Sequence, residues 1–280
     1  MSKTLKLGLL GHQIGYSKSG DIFNAIFEML SIDGEFISID VSHEKIDEGL
    51  QKCLDLKLNG FSVTIPHKQN VIPFLNQIEN DAMQLGAVNS IKIENNKLSG
   101  FNTDIYGFCE SLKEYSSILK GKKVLIIGAG GSARAIIYAL KNNFGIKDFV
   151  ILGRDKQKLD LFLENLKPIT GGANLSSIMF DSELPISPID YDFAVNCSPL
   201  GGFNYPDELI FNNNISPENL LLYYDLNYND NNSVIKKMQS INIPCIDGKQ
   251  MLVAQALKSL YLWTGLTVSE NELYQKVFGS

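Results

Sequence analysis

Lys68 closes the segment Gly60-Phe-Ser-Val-Thr-Ile-Pro-His-Lys68, whose apolar start reads as a strand that delivers an ammonium at its carboxyl end. Ligands of open α/β sheets bind outside the carboxyl ends of strands, and a lysine there can give and take a proton. A lone lysine is more often a solvated surface charge, so the position alone decides nothing. Asp104, in Asn102-Thr-Asp104, precedes a helical stretch. A carboxylate there either caps the helix or accepts a hydrogen bond from a hydroxyl-bearing ligand. Ser17-Lys-Ser19 sets two hydroxyls in a glycine-containing turn, suited to hold a carboxylate or to cap a helix. Ala87-Val-Asn89 brings a side-chain amide close to another strand, and Met251 and Gln255 stand one helical turn apart. His12, His43 and His67 show neither metal nor triad spacing, and no metal site is expected.

A second kind of chemistry is written at Val124-Leu-Ile-Ile127, an apolar run that reads as a buried parallel strand. It stops at Gly128, Ala129, Gly130 and Gly131, and helical periodicity begins at once through Ser132 and Ala133. Strand, glycine turn and helix form the context in which small residues let a backbone approach a pyrophosphate. The free N–H groups of the helix N-terminus then face the anion. The next strand ends at Leu152-Gly-Arg154, followed by Asp155, Lys156 and Lys158. An arginine at this place accommodates the 2′-phosphate of NADP, whereas an acidic residue binds the ribose hydroxyls of NAD. Arg154 and the lysines favour NADP. Asp155 favours NAD if its side chain turns inward, or else caps the next helix.

These groups need elements to hold them. The 280 residues suffice for two domains, and the 44% hydrophobic and 20% charged content is that of a globular chain. A net charge of −6 argues against a general nucleic-acid partner. No apolar span suggests a membrane helix, and the N-terminus shows no signal-peptide core. Cys53, Cys109, Cys197 and Cys245 lack paired spacing, which points to a reducing cytoplasm. Strand-like stretches at Leu5–Leu10, Glu35–Ile39, Phe61–Ile65 and Ala87–Ile93 alternate with helical ones at Ile22–Leu30 and His43–Leu56. A short helix is expected after Pro66, and another over Asp104–Tyr115. The rhythm resumes with strands near Phe149–Leu152, Phe193–Asn196, Leu220–Tyr224 and Ile243, and helices over Asp155–Leu166 and Ser233–Gln239. Asn-rich stretches at 211–215 and 227–232 read as loops. Lys249–Leu262 reads as a strongly amphipathic helix able to pack back on the first domain. The expected fold is α/β with two domains. Residues 1–103 plus 248–280 would form an open α/β substrate domain. Residues 104–247 would form a Rossmann-like, doubly wound dinucleotide-binding domain.

Taken together, the motifs resemble those of the shikimate dehydrogenase family over nearly the whole chain. The resemblance is carried by Ser17-Lys-Ser19, Val63-Thr-Ile-Pro-His-Lys68, Gly86-Ala-Val-Asn89, Asn102-Thr-Asp104 and the Gly128–Gly131 turn. It continues through Asn196-Cys-Ser-Pro199, Asp225-Leu-Asn-Tyr228 and Asp247-Gly-Lys-Gln-Met-Leu-Val-Ala-Gln-Ala256. Phe23 stands where a histidine is common, and Gly153-Arg-Asp155 where Asn-Arg-Thr is usual. The resemblance implies reversible, NADPH-dependent reduction of 3-dehydroshikimate to shikimate in aromatic amino-acid synthesis. It implies Lys68 and Asp104 as the catalytic pair. Ser17 and Ser19 would hold the substrate carboxylate with Tyr228 nearby, and Thr64, Asn89 and Gln255 the ring hydroxyls. Gly128 to Ala133, Arg154, Asp155, Lys158, Ser198, Leu226, Gly248 and Met251 would line the cofactor. The implied partner is a small molecule, with no nucleic acid or membrane, and the chain would be a monomer or homodimer. A relative that also oxidises quinate or prefers NAD, and a non-catalytic nucleotide-binding relative, are the alternatives.

Overall fold

The computed structural model describes residues 4–180, 191–202, 205 and 220–279, and the loop expected at 211–215 lies outside them. The chain divides into two compact units, Met1–Phe108 with Leu252–Ser280, and Cys109–Met251.

The first unit opens with β1 (Leu5–Gly11), α1 (Ser19–Leu30), β2 (Gly34–Asp40), α2 (Ile46–Asp55) and β3 (Gly60–Val63). It continues with β4 (Gln77–Ile78), α3 (Asn80–Leu85), β5 (Ser90–Glu94), β6 (Lys97–Phe101) and the start of α4 (Asp104–Ser111). The sheet order is β2-β1-β3-β5-β6-β4. The pairs of β1 with β2 and with β3 are parallel, whereas β5 runs antiparallel to both β3 and β6. The chain therefore departs from β1 to one side and returns on the other, which opens a crevice at the carboxyl ends of β1 and β3. Two hydrogen bonds join the exits of those strands, Thr64 N–H to Leu10 O at 2.9 Å and His12 N–H to Ile65 O at 3.0 Å.

Three sequence expectations change here. No α-helix follows Pro66; turns lead to a 3₁₀ turn at Ile72–Phe74, because Pro73 cannot continue a helical ladder. The strand expected from Ala87 begins at Ser90, since Ala87 and Val88 donate to Ala82 O and Lys68 O instead. The helix expected over Asp104–Tyr115 ends as α4 at Ser111, with a 3₁₀ turn at Lys113–Tyr115.

The second unit holds α5 (Ser116–Leu119), β7 (Lys123–Ile127), α6 (Gly131–Phe144), β8 (Asp148–Gly153), α7 (Lys156–Thr170) and β9 (Asn174–Met179). It ends with β10 (Phe193–Asn196), β11 (Leu222–Asp225), α8 (Ser233–Ser240) and β12 (Cys245–Ile246). Its strands are all parallel, in the order β12-β11-β10-β7-β8-β9. This is the doubly wound order, with its switch point between β7 and β10. The last strand falls at Cys245–Ile246 rather than at Ile243, because the Pro244 carbonyl already accepts Tyr223 N–H.

The chain returns to the first unit in α9 (Lys249–Thr264) and α10 (Glu270–Phe278). Val253, Ala256, Leu260 and Trp263 of α9 join Leu7, Phe23 and Phe27 in one core. Phe23 is wholly buried, its ring 4.9 Å from Phe36 and 5.5 Å from Trp263. A Cβ on Gly60 would meet the Trp263 ring at 2.3 Å, so this glycine lets the indole lie on the sheet. The helix is not the strongly amphipathic one expected. Gln255 and Ser259 are buried as well, and Tyr261 is its exposed large side chain. On the other side of the sheet, Leu10, Leu50, Phe61, Val63 and Ile91 share a second core.

Candidate active site

The crevice of the first unit gathers the polar groups. Lys68 Nζ donates to Asp104 Oδ2 at 2.7 Å, with the two side chains only 17% and 11% exposed. Asn89 Nδ2 donates to Asp104 Oδ1 at 2.7 Å and to Thr103 Oγ1 at 3.1 Å, and Asn89 Oδ1 accepts Thr103 N–H at 2.7 Å. Asp104 is the first residue of α4, where the helix dipole favours a carboxylate. Its hydrogen bonds go to Lys68 and Asn89. Thr103 Oγ1 also reaches Gln255 Oε1 at 3.4 Å and Ser259 Oγ at 3.1 Å, which ties α9 to the same cluster. Asn89 and Gln255 are thus part of the frame that orients Asp104, beyond any contact with a ligand.

Ser17 and Ser19 follow β1 into the start of α1. Neither caps that helix. Ser17 Oγ donates to Ser19 Oγ at 3.1 Å and accepts Ser19 N–H at 3.2 Å. Two hydroxyls at the N-terminus of a twelve-residue helix form a place for an anionic group. Thr64 follows β3 directly. His67 is fully buried with Nε2 2.9 Å from Val41 O, and among the described residues no cluster fit to hold a metal occurs.

The second unit carries the anion cradle. Gly128 leaves β7 at φ +103°, a conformation that favours glycine, and a Cβ there would lie 3.3 Å from the Cys197 carbonyl carbon and Ser198 N. Gly130 and Gly131 have nothing within 4 Å of a Cβ position, so the front of α6 is open. Ala133 is buried in that helix. Arg134 stands four residues after the N-cap Gly130, and its Nε is buried with no hydrogen-bond partner among the described residues. A cation in the first turn works against the helix dipole, and an unpaired buried N–H is costly; an anion at the glycine turn would offset both. These features fit a dinucleotide. Asp155 caps α7, its carboxylate accepting Lys158 N–H at 3.1 Å. Arg154 and Lys158 lie at the same corner, and Tyr228, Gly248 and Met251 also belong to this unit.

Sequence reasoning gave no role to Thr103, Arg134, Asn196, Asp225 or Asn232. Thr103 and Asn196 adjoin or occupy motifs, but a motif does not reveal which side chains turn inward. Asn227 and Asn232 sit in a stretch read as a loop, and Asn232 is 2% exposed. The four cysteines are free. Burial pushes the Cys53 and Cys109 thiols up to about 12 and the Cys245 thiol up to about 11, which favours the neutral thiol near pH ~7. No helix among the described residues is long and apolar enough to cross a membrane.

Known proteins carry the same pattern. Residues 9–91 match the family model of the shikimate dehydrogenase substrate binding domain. The chain is 32% identical to shikimate dehydrogenase (NADP(+)) of Caldanaerobacter subterraneus subsp. tengcongensis, covering 99% of this chain and 98% of that protein. It is 36% identical to the protein of that name from Methanococcus maripaludis, over 94% of this chain and 93% of the relative. A crystal structure of a shikimate dehydrogenase in complex with NADP+ superposes with a TM-score of 0.85 at 28% identity, covering 100% of this chain and 96% of the other. With likeness of sequence and fold running end to end, the chain belongs to the shikimate dehydrogenase family.

Proposed function

We propose that this protein interconverts 3-dehydroshikimate and shikimate with NADP(H), using Lys68 and Asp104 as its catalytic pair. The observation that carries this reading is the 2.7 Å Lys68–Asp104 contact at the mouth of the β1/β3 crevice. The relatives' activity and cofactor are those of their names, shikimate dehydrogenase (NADP(+)).

NADPH held at the Gly128–Ala133 turn would supply the hydride for the substrate's carbonyl carbon. Lys68 Nζ donates the accompanying proton to the carbonyl oxygen, and in the oxidative direction neutral Lys68 takes it back from the hydroxyl. The ammonium also stabilises the charge developing on that oxygen. Asp104 fixes the ammonium by charge, and its remaining lone pairs accept from the neighbouring substrate hydroxyl. Asn89 holds the second oxygen of Asp104 and so sets the plane of the carboxylate. Thr64, Asn89 and Gln255 contribute to holding the ring hydroxyls, and the Ser17 and Ser19 hydroxyls donate to the substrate carboxylate, which Tyr228 also serves.

The first unit would serve the substrate and the second the cofactor. Gly128, Ala129, Gly130, Gly131, Ser132 and Ala133 would receive the pyrophosphate. Arg154 and Lys158 would pair with the 2′-phosphate, while Asp155 closes the cap beneath them. Ser198, Leu226, Gly248 and Met251 would border the nicotinamide. Four free thiols fit a cytoplasmic enzyme.

The test is reduced-nicotinamide absorbance with purified protein and shikimate, offering NADP+ and NAD+ in parallel. Rapid reduction of NADP+ is the expected result. Reduction of NAD+ alone would overturn the assignment of Arg154, and no reduction of either would overturn the activity.

A further inference from the structure

Asp225 ends β11 and is wholly buried, yet among the described residues no cation pairs with it. Five neutral donor groups converge on its carboxylate. Asn196 Nδ2 reaches both oxygens at 3.1 Å, and Tyr223 OH donates to Oδ2 at 2.8 Å. Asn227 N–H and Nδ2 donate to Oδ1 at 2.9 and 2.8 Å, and Asn232 Nδ2 donates to Oδ2 at 2.9 Å. Each of the three asparagines also holds a neighbouring backbone stretch. Asn196 Oδ1 accepts Ser198 N–H at 3.0 Å and Ser198 Oγ–H at 2.6 Å. Asn227 Nδ2 also donates to Ser198 O and Leu200 O at 3.1 Å, and its own carbonyl accepts Gly248 N–H at 3.0 Å. Asn232 Oδ1 caps α8 through Val234 and Ile235 N–H.

The consequence is positional. The loop after β10 lies against Gly128, where even one added carbon would touch Cys197 and Ser198. Glycines at 201 and 202 let that loop close over the asparagines, since a Cβ would come within 2.8 Å of Asn232 Oδ1 and 2.6 Å of Asn227 Oδ1. A Cβ on Gly248 would lie 2.1 Å from Leu226 O. One carboxylate therefore sets three backbone stretches, at Ser198, Leu226 and Gly248, against each other and against the glycine turn. In a doubly wound sheet the half built on β7 to β9 takes the adenosine, which leaves the half built on β10 to β12 for the other mononucleotide.

We propose that Asp225 is a positioning residue for the nicotinamide half of the cofactor, acting through Asn196 and Asn227 on the Ser198, Leu226 and Gly248 backbones. It touches neither substrate nor reacting atoms. The inference rests on the NADP reading above. A carboxylate suits the task because it accepts from every side, whereas an amide or hydroxyl would face donors with a donor.

The test compares two probes in the full-length protein: NADPH, and adenosine 2′,5′-bisphosphate, which carries the adenine half alone. The variants are Asp225→Asn and the milder Asn227→Ala, which leaves Asp225 its other partners and carries the comparison if Asp225→Asn does not fold. Losing one or two charge-assisted hydrogen bonds should weaken NADPH binding about 10- to 100-fold. Adenosine 2′,5′-bisphosphate should bind as it does to the wild type, and KM for shikimate at saturating cofactor should hold while kcat falls. NADPH affinity unchanged in a folded variant would overturn the proposal. Equal weakening of both probes would overturn it too, because the network would then merely hold the unit together. Failure of the wild type to bind NADPH would instead sink the cofactor reading.

Discussion

Replacing Lys68 by Met separates chemistry from stability. The variant keeps the apolar stem and deletes the ammonium that meets Asp104 at 2.7 Å. Removing a general acid costs roughly 10²- to 10⁴-fold in kcat, or about 2.7–5.5 kcal/mol of barrier. The same deletion strands Asp104, 11% exposed, with Asn89 as its remaining donor of the two. Breaking a buried pair costs roughly 3–5 kcal/mol, and the residual exposure here places the cost near the low end. A domain stable by roughly 5–15 kcal/mol survives that loss. The double variant Lys68→Met/Asp104→Asn removes the stranded charge, so it should regain much of the lost Tm while its turnover stays as low. Turnover is followed by reduced-nicotinamide absorbance, and NADPH binding by fluorescence should be nearly unaffected. A folded Lys68→Met enzyme turning over within about threefold of the wild type would refute the proton-transfer role.

Arg154→Ala should raise KM for NADPH about tenfold or more, the worth of one charge-assisted contact, with much less effect on NADH; steady-state kinetics with both cofactors checks this, and equal effects would remove Arg154 from 2′-phosphate recognition. Gly60→Val should destabilise the fold by the roughly 1–3 kcal/mol of an overpacked core and so lower Tm, because its Cβ would meet Trp263 at 2.3 Å; an unchanged melting curve would show that the indole is free to move. Burial raises the Asp225 carboxyl above its ordinary 3.8, outweighing its hydrogen bonds from Asn196, Asn227, Asn232 and Tyr223. A raised folded value means that its contribution to stability is full below 3.8 and is lost as pH rises through the folded pKa. Cofactor affinity should run the other way, NADPH binding weakening as acid protonates Asp225 and turns one acceptor into a donor. Burial also keeps the neighbouring Tyr223, Cys197 and Cys245 neutral there. Fluorescence titration across pH should show this step in the wild type and not in Asp225→Asn.

Much of the fold was legible because parallel strands buried on both faces read as unbroken apolar runs. Val124–Ile127 and Phe193–Asn196 fall within β7 and β10 for that reason. β6 escaped notice, since Lys97-Leu-Ser-Gly-Phe101 looks polar, yet Asn95 and Asn96 at φ 52° and 59° make the tight turn that pairs it with β5. The amphipathic reading of α9 fails because its polar Gln255 and Ser259 do not face solvent. They are buried where Thr103 offers hydrogen bonds, and burial of a satisfied polar group leaves no trace in hydropathy. Asn227 and Asn232 hid in the same way: asparagine is the ordinary residue of a loop, and only the fold shows that a carboxylate waits beneath it.

The two buried carboxylates show how a partner's chemistry separates roles. Asp104 faces a lysine, and a cation with a removable proton can take part in a reaction that creates charge on a nearby oxygen. Asp225 faces amides, a phenol and a backbone N–H, none of which gives up a proton near neutral pH. Its negative charge is held in place by these dipoles, and dipoles aimed at one point constrain geometry. A neutral isostere at Asp104 would therefore remove a charge that the reaction uses, while one at Asp225 would remove a fixed point from which three loops are measured. That is why Asp104→Asn should strike kcat with cofactor affinity intact, and why Asp225→Asn should loosen NADPH while KM for shikimate stays in place.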